Sequence, residues 1–526
     1  MQNVLKQSRQ TSWLLRLDVA YTRPQSARNR LGPSTSNWTA GRRRHLTTHV
    51  NAAKLQFGQP LHETHPHLLK PGELTPGITA LEYATRRAQL VSKLPTGAIA
   101  VLASATLKYR SDPVVFYPYR QQSDFWYLTG FAEPEAVAVI RKTGQKGNGD
   151  HEFALLCREK DEQVEEWEGP RSGLVAAEDV FNADKTGNID QIHRLLPDLL
   201  ADASAIYTDI LSPPSKPSLL SRFFRSPKRT TSSSSSSPSE ETTFTTLLAS
   251  RNVHPLRPLL NELRVIKSTA EISLMRHIGQ ASARALTNTM RHPADTEKSL
   301  ADFLDYETKR LGCSEAAYVP VVAGGARGQC IHYVANDQRL RREELVLVDA
   351  GGELGGYITD ITRCWPVGGK FSAPQRELYE MVLRVQRLCV SLCRRDARVS
   401  LDGLHELATA ELAKGLRELG FELGSGGRAG GGKDPAMDVL FPHHVGHYIG
   451  LDVHDASGWS RSAVLRPGMC VAVEPAVYVP DEERWPARFR RLAVRIEDSV
   501  CVQEESPLVL TTEAIKEVVD IEDWMR

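Results

Sequence analysis

Four carboxylates and one histidine interrupt segments that otherwise read as apolar strands, and nothing else in the chain constrains its fold as strongly. Asp349 closes Leu-Val-Leu-Val-Asp, and Asp360 sits inside Tyr-Ile-Thr-Asp-Ile-Thr-Arg. Glu474 follows Val-Ala-Val, and Glu497 follows Val-Arg-Ile. His447 lies in His-His-Val-Gly-His-Tyr-Ile-Gly-Leu-Asp-Val-His-Asp. A strand this apolar is meant to be covered, and covering one ionised carboxylate is costly. Covering four close together is prohibitive unless cations neutralise them. Two divalent ions balance four negative charges. Oxygen ligands with a single imidazole favour hard or borderline metals: manganese first, with cobalt, iron and zinc as alternatives. Glycines at 351, 352, 355 and 356 let the chain double back in a tight hairpin, so that Asp349 and Asp360 face each other. Taken singly, each of these residues reads more plainly as a turn cap or a structural histidine.

The rest of the chain supports a soluble α+β protein. At 526 residues it is too long for one core, and two large domains are expected. From Phe57 to Arg251 helix-like and strand-like patches alternate, an α/β pattern. Leu81–Leu94 reads as a helix, and Ala98–Ala103, Pro113–Phe116, Ala136–Ile140 and Glu152–Cys157 read as strands. Six serines (Ser232–Ser237) stand within a Pro- and Ser-rich run over 212–246, expected to be a mobile insertion. They offer phosphate acceptors, though a passive surface loop is the plainer reading. A second unit, 253–520, opens with helices over Leu263–His292 and Thr296–Leu311. Strands over Leu345–Ala350, Tyr357–Trp365, Cys470–Val479 and Leu492–Val502 follow, with helices over Pro374–Arg394 and Leu401–Leu419 between them. Strands that pair mostly with sequence neighbours beside helices predict antiparallel sheets. The run Gly424–Gly432 lacks the Gly-Lys-Ser/Thr ending of a phosphate loop and reads as a loop insertion.

Charge is distributed unevenly. Residues 1–46 carry nine Lys/Arg against a single acid, Asp18, and are rich in Ser and Thr. Arg9, Arg16 and Arg23 recur every seven residues, gathering positive charge on one side of a helix. This is the composition of a mitochondrial transit peptide. A basic tail with no destination is the alternative, while Arg16 and Asp18 break the only apolar stretch a secretory signal would need. Arg43-Arg44-His45-Leu46-Thr47 resembles a matrix-processing site, which puts the mature start near Leu46 or Thr47. A mitochondrial location, in the matrix or peripheral to the inner membrane, is therefore expected, with a minor nuclear or cytosolic pool for unimported chains. The remaining residues hold 56 basic and 63 acidic side chains, which argues against a nucleic-acid surface. No apolar run is long enough to span a bilayer. Eight scattered cysteines form no CxxC pair and read as reduced, mostly buried thiols.

In this order, Asp349, Asp360, His447, Glu474 and Glu497 match the ligand set of the M24 metallopeptidases of pita-bread fold, which the chain resembles. Tyr117-Pro-Tyr-Arg-Gln-Gln-Ser-Asp-Phe-Trp-Tyr-Leu-Thr-Gly-Phe131 resembles the N-terminal domain motif of aminopeptidase P enzymes. The likeness covers roughly 57–515 and is nearest to mitochondrial aminopeptidase P-like enzymes, including the intermediate-cleaving type. It implies an aminopeptidase P N-terminal domain over 57–251 and a pita-bread catalytic domain over 253–520. It also implies two divalent ions, most readily Mn2+. Asp349 and Glu497 would span both ions, Asp360 would serve one, and His447 and Glu474 the other. Such a pair, about 3.5–4 Å apart, lowers the pKa of shared water toward neutrality for attack on the first peptide carbonyl. By the same resemblance His332 and His454 contact the scissile amide or its tetrahedral intermediate, and His443 lines the pocket. Arg495, two residues before Glu497 on the same strand face, is expected to orient ligand carboxylates. Tyr478, four beyond Glu474, is expected to hydrogen-bond the intermediate. His444 matches no motif and reads as a loop residue.

The substrates implied are peptide or protein N-termini, and family members are dimers or tetramers, so a homo-oligomer is expected. Release of one residue from imported mitochondrial proteins after presequence removal is the leading reading. Xaa-Pro cleavage and prolidase-like dipeptidase activity compete with it. A catalytically dead pita-bread binding module is the alternative of another class, and retention of all five ligands argues against it.

Overall fold

The computed structural model describes residues 39–40, 56–111, 115–144, 151–210, 251–424 and 435–526. The expected leader (apart from Thr39–Ala40), the serine-rich run and most of the glycine-rich run lie outside these.

The N-terminal half is built on a seven-stranded sheet. Its strands are β1 (Thr39–Ala40), β2 (Ile99–Ala103), β3 (Val137–Lys142), β4 (His151–Cys157), β5 (Lys185–Asn188), β6 (Ile206–Tyr207) and β7 (Val253–His254), in the order β1-β5-β4-β3-β2-β6-β7. β2, β3 and β4 pair antiparallel, whereas β4–β5, β2–β6 and β6–β7 are parallel. The α/β pattern therefore resolves into a mixed sheet. Ala100, Leu102, Ala138 and Ile140 pack on one face, and Ile99, Val101, Val137 and Val139 on the other. With both faces covered, the strands read as continuous apolar runs. Helix α1 (Ala80–Lys93) begins at Thr79, whose side chain accepts from the Glu82 N–H.

In the C-terminal half, the expected single helix over Leu263–His292 is two helices, α2 (Arg257–Arg264) and α3 (Thr269–Met290). Ser268 and Glu271 form a reciprocal capping box that starts α3 afresh. Helix α4 (Glu297–Arg310) packs on α3, and α5 (Ala373–Ser391) on α6 (Leu401–Glu418). The sheets are antiparallel throughout. Strands β8 (Val321–Gly324), β9 (Leu345–Ala350) and β10 (Ile361–Pro366) form one; β11 (Cys470–Val473) pairs with β14 (Asp498–Cys501), and β12 (Ala476–Tyr478) with β13 (Ala493–Arg495). Of the four strands expected to carry a candidate residue, Leu345–Ala350 runs unbroken through Asp349, and the other three are broken at theirs. Tyr357–Trp365 breaks at Thr359–Asp360, Cys470–Val479 at Glu474–Pro475, and Leu492–Val502 at Ile496–Glu497. Pro475 has no N–H to give a ladder, and a carboxylate turned toward a ligand cavity does not continue an apolar face.

The motif Tyr117–Phe131 stitches the halves together. Trp126 Nε1 donates to the Gly355 carbonyl at 2.8 Å, Ser123 Oγ to Asp452 at 2.6 Å, and Arg264 to Asp124 at 2.6 Å. All eight thiols are free; seven are buried and Cys330 is exposed. Among the described residues no helix is long and apolar enough to cross a membrane.

Candidate metal centre

The register of the strands assembles the acids. In β9–β10, Asp349 pairs with Thr362 and Ala350 with Ile361, so Asp360 enters one step past the last pair. The connection turns through Gly355 and Gly356, both at positive φ (58° and 82°), as a two-residue hairpin requires. A Cβ at Gly351 would stand 1.8 Å from the Thr359 carbonyl oxygen, so only glycine lets the two chain segments approach this closely. In the second pair of strands Val473 opposes Asp498 and Ala476 opposes Arg495. Carrying that register across the break sets Glu474 opposite Glu497, and like charges in this position repel. His447 is brought alongside by the bridge between Tyr448 and Val471.

The five candidate ligands converge on one cavity of about 690 Å³. Ligating atoms of Asp360, His447 and Glu497 lie within 4.8 Å of one another. His447 Nε2 stands 3.4 Å from Asp360 Oδ2 and 3.8 Å from Glu474 Oε1. Arg495 donates to Asp349 at 2.6 Å, to the Tyr478 hydroxyl at 2.8 Å and to Thr362 Oγ1 at 3.0 Å. Thr362 in turn donates to Glu497 at 2.6 Å. Ser499 fixes the Asp360 backbone, accepting from its N–H at 3.0 Å and donating to its carbonyl at 2.8 Å.

Protonation follows from burial and crowding. Burial, then the neighbouring acids, pushes Glu497 well above the usual carboxylate range, and burial raises Glu474 to about 7. Burial likewise raises Asp349, against the pull of Arg495. Burial also opposes charge on Asp360, but the hydrogen bond and charge of His447 overcome it and hold the carboxyl low. His447 resists its own burial through Asp360 and then Glu474, and rises to about 9. One guanidinium and one imidazole face four carboxylates, so the donor set fits divalent cations and strains without positive charge.

Tyr318 was not legible in the sequence. Its hydroxyl lies against both Asp349 (2.6 Å) and Asp360. A phenol has one proton to donate, so two carboxylates on it ask for a further proton or cation. Its partners follow it in the chain by 31 and 42 residues, and no local pattern announces them.

His332, His443 and His454 all line the cavity, as does His444, which matches no sequence motif. The His454 ring centroid is 4.2 Å from that of His447, and burial, then the His447 charge, lowers its pKa. His443 donates from Nδ1 to the His444 carbonyl at 2.9 Å, which leaves Nε2 to accept from the Tyr478 hydroxyl at 2.9 Å. Burial lowers it to about 4, so it is uncharged near neutrality. Tyr478 is buried and spends its hydroxyl on Arg495 and His443; it is not among the residues lining the cavity.

A model of metallopeptidase family M24 matches residues 273–504, and one of the aminopeptidase P N-terminal domain matches 83–207. Intermediate cleaving peptidase 55 of Saccharomyces cerevisiae is 40% identical over 472 residues, covering 90% of this chain and 89% of that protein. The chain belongs to the M24 metallopeptidase family. Xaa-Pro aminopeptidase 3 of Mus musculus is 37% identical, covering 89% of this chain and 90% of that protein. The crystal structure of the yeast peptidase lacking its first 58 residues superposes with a TM-score of 0.75 at 37% identity, covering 86% of this chain and 99% of that one. Escherichia coli aminopeptidase P with the inhibitor Pro-Leu gives 0.72 at 30%, covering 85% and 98%. This M24 protein is thus a metalloaminopeptidase, with a pita-bread domain following an aminopeptidase P N-terminal domain.

Proposed function

We propose that this M24 enzyme is a mitochondrial aminopeptidase that removes a single residue from imported proteins after their presequence has been cleaved. It works with two divalent ions, Mn2+ first, held by Asp349, Asp360, His447, Glu474 and Glu497. The observation that carries the ligand assignment is Glu474 set opposite Glu497 beside Asp360 and His447, a juxtaposition of charge that bound cations neutralise and that otherwise calls for protons. The processing reading draws on the intermediate cleaving peptidase 55 proteins of yeast and, under the name "mitochondrial", of Arabidopsis thaliana, 40% and 35% identical to this chain. The basic, acid-poor first 46 residues agree with it. Domain limits of 57–251 and 253–520, a location in the matrix or at the inner membrane, and a dimer or tetramer belong to the same proposal.

Divalent cations in this set supply Lewis acidity and lower the pKa of water toward neutrality. The protein's own groups do the rest. The acidic wall attracts the substrate's α-ammonium group, which restricts cleavage to an N-terminus. His454 and His332, both exposed and lining the cavity, stand where a scissile amide would lie and pass a proton to its leaving nitrogen. Arg495 holds Asp349 in place, and Thr362 holds Glu497.

A second reading, Xaa-Pro cleavage, has support of its own: Xaa-Pro aminopeptidase 3 proteins align over nearly as much of the chain. Matched peptides with proline or another residue second, and a bulky first residue, separate the two. Hydrolysis without proline is expected; an absolute need for proline would discard processing. In cells lacking the enzyme, mitochondrial proteins should retain one extra N-terminal residue on sequencing.

A further inference from the structure

The cavity that holds the candidate ligands shares a wall with a second cleft. His454, Ala456 and Ser457 line both. The second cleft encloses about 620 Å³ and is built from both halves of the chain: Lys108 and the motif residues Arg120 and Ser123 on one side, Arg257, Arg264 and Asp452 on the other. A polypeptide whose first residue sits in the acidic cavity must leave it, and a chain passing His454 enters this cleft. Most charges in the cleft are already matched. Arg264 is held by Asp124, Asp452 and Asp455, and Arg120 by Glu353 and the Leu451 carbonyl. Lys108 and Arg257 are different. Both are exposed, and among the described residues neither forms an ion pair, although Asp209 feels the charge of Arg257. Two exposed cations outside any described ion pair, on a surface the substrate must cross, favour negative charge there.

We infer that this interdomain cleft receives the substrate polypeptide beyond the cleaved bond, with Lys108 and Arg257 as specificity-determining residues that favour acidic side chains several positions downstream. This rests on the aminopeptidase reading. It assigns the Tyr117–Phe131 segment a role besides joining the halves, since that segment supplies the floor of the cleft.

The test uses the full-length, metal-loaded enzyme and peptides of about eight residues, which at ~3.3 Å per residue reach past the catalytic cavity. One peptide carries Glu at its distal positions and its analogue carries Gln. The Glu peptide should show kcat/KM about fivefold higher, expressed in KM, because partly exposed ion pairs are individually weak. The double variant Lys108→Glu/Arg257→Glu should invert that preference, and added salt should erase it in the wild type. Equal constants for the two peptides, or a double variant that slows both alike, would overturn the inference while leaving the aminopeptidase reading intact. Failure to hydrolyse any peptide would overturn both.

Discussion

The M24 enzyme buries two clusters of carboxylates, and they are balanced in opposite ways. At the joint between the halves, Asp455 is fully buried yet receives hydrogen bonds from Arg264 and, at 2.9 Å, from Lys267. These cations hold its carboxyl low although burial alone would raise it. At the candidate metal centre, burial wins: Glu474 and Glu497 are pushed up, and Arg495 and His447 cannot satisfy four acids. The first cluster brings its own counter-charge; the second is completed from outside. A buried acid is therefore informative only when read with its partners, and the uncompensated set marks chemistry.

The largest expected break in that contrast comes from Glu497→Ala. Turnover should fall by ~10³-fold or more and bound metal should be lost with it, as removal of a ligand of catalytic cations implies. Elemental analysis beside kinetics checks this. Metal-free Glu497→Ala should unfold no earlier than the metal-free wild type, because the substitution relieves repulsion. Asp455→Ala should behave in the opposite sense. It strands Lys267 and weakens Arg264 in a buried site, which costs about 3 kcal/mol. Chemical denaturation should show that loss while metal content stays unchanged. Tyr318→Phe is milder. It removes the hydroxyl shared by Asp349 and Asp360 without changing shape, and a ~10–100-fold loss of activity or metal affinity is expected, the usual cost of losing a group that orients ligands. Unchanged activity and affinity would show that the ligands need no help from the phenol.

How much of this was legible in the sequence depended on whether the signal was local. Asp349, Asp360, Glu474 and Glu497 stood out because each lies in an apolar run that makes a charge conspicuous, and Gly355–Gly356 announced the hairpin. The breaks at Glu474–Pro475 and Ile496–Glu497 were not legible, because flanking Val, Ala and Ile read as one continuous strand. The mixed sheet was hidden for a related reason: β5, Lys185–Asn188, reads Lys-Thr-Gly-Asn and has no apolar pattern, yet it pairs parallel with β4. Tyr318 and the Arg264–Asp455 joint were invisible because their partners lie far away in the chain, Asp455 191 residues beyond Arg264. The place of Tyr478 behind Arg495, rather than at the cavity, likewise depends on packing that residue spacing does not report.

The smallest effect concerns acid stability, and its sign follows from the compensated cluster. Asp455 has a folded pKa below the unfolded carboxylate value of about 3.9. Between those values the unfolded chain binds more protons than the folded one, so stability rises with pH through this window. The contribution is fully present above about pH 4 and is lost as pH falls through the folded value. Asp455→Asn removes this proton from the balance. Its denaturation free energy, measured across the acid limb, should fall less steeply than that of the wild type, by no more than ~1.4 kcal/mol per pH unit, the limit for one titrating group. Parallel acid limbs for the two proteins would show that Asp455 is not the depressed acid its two cations make it.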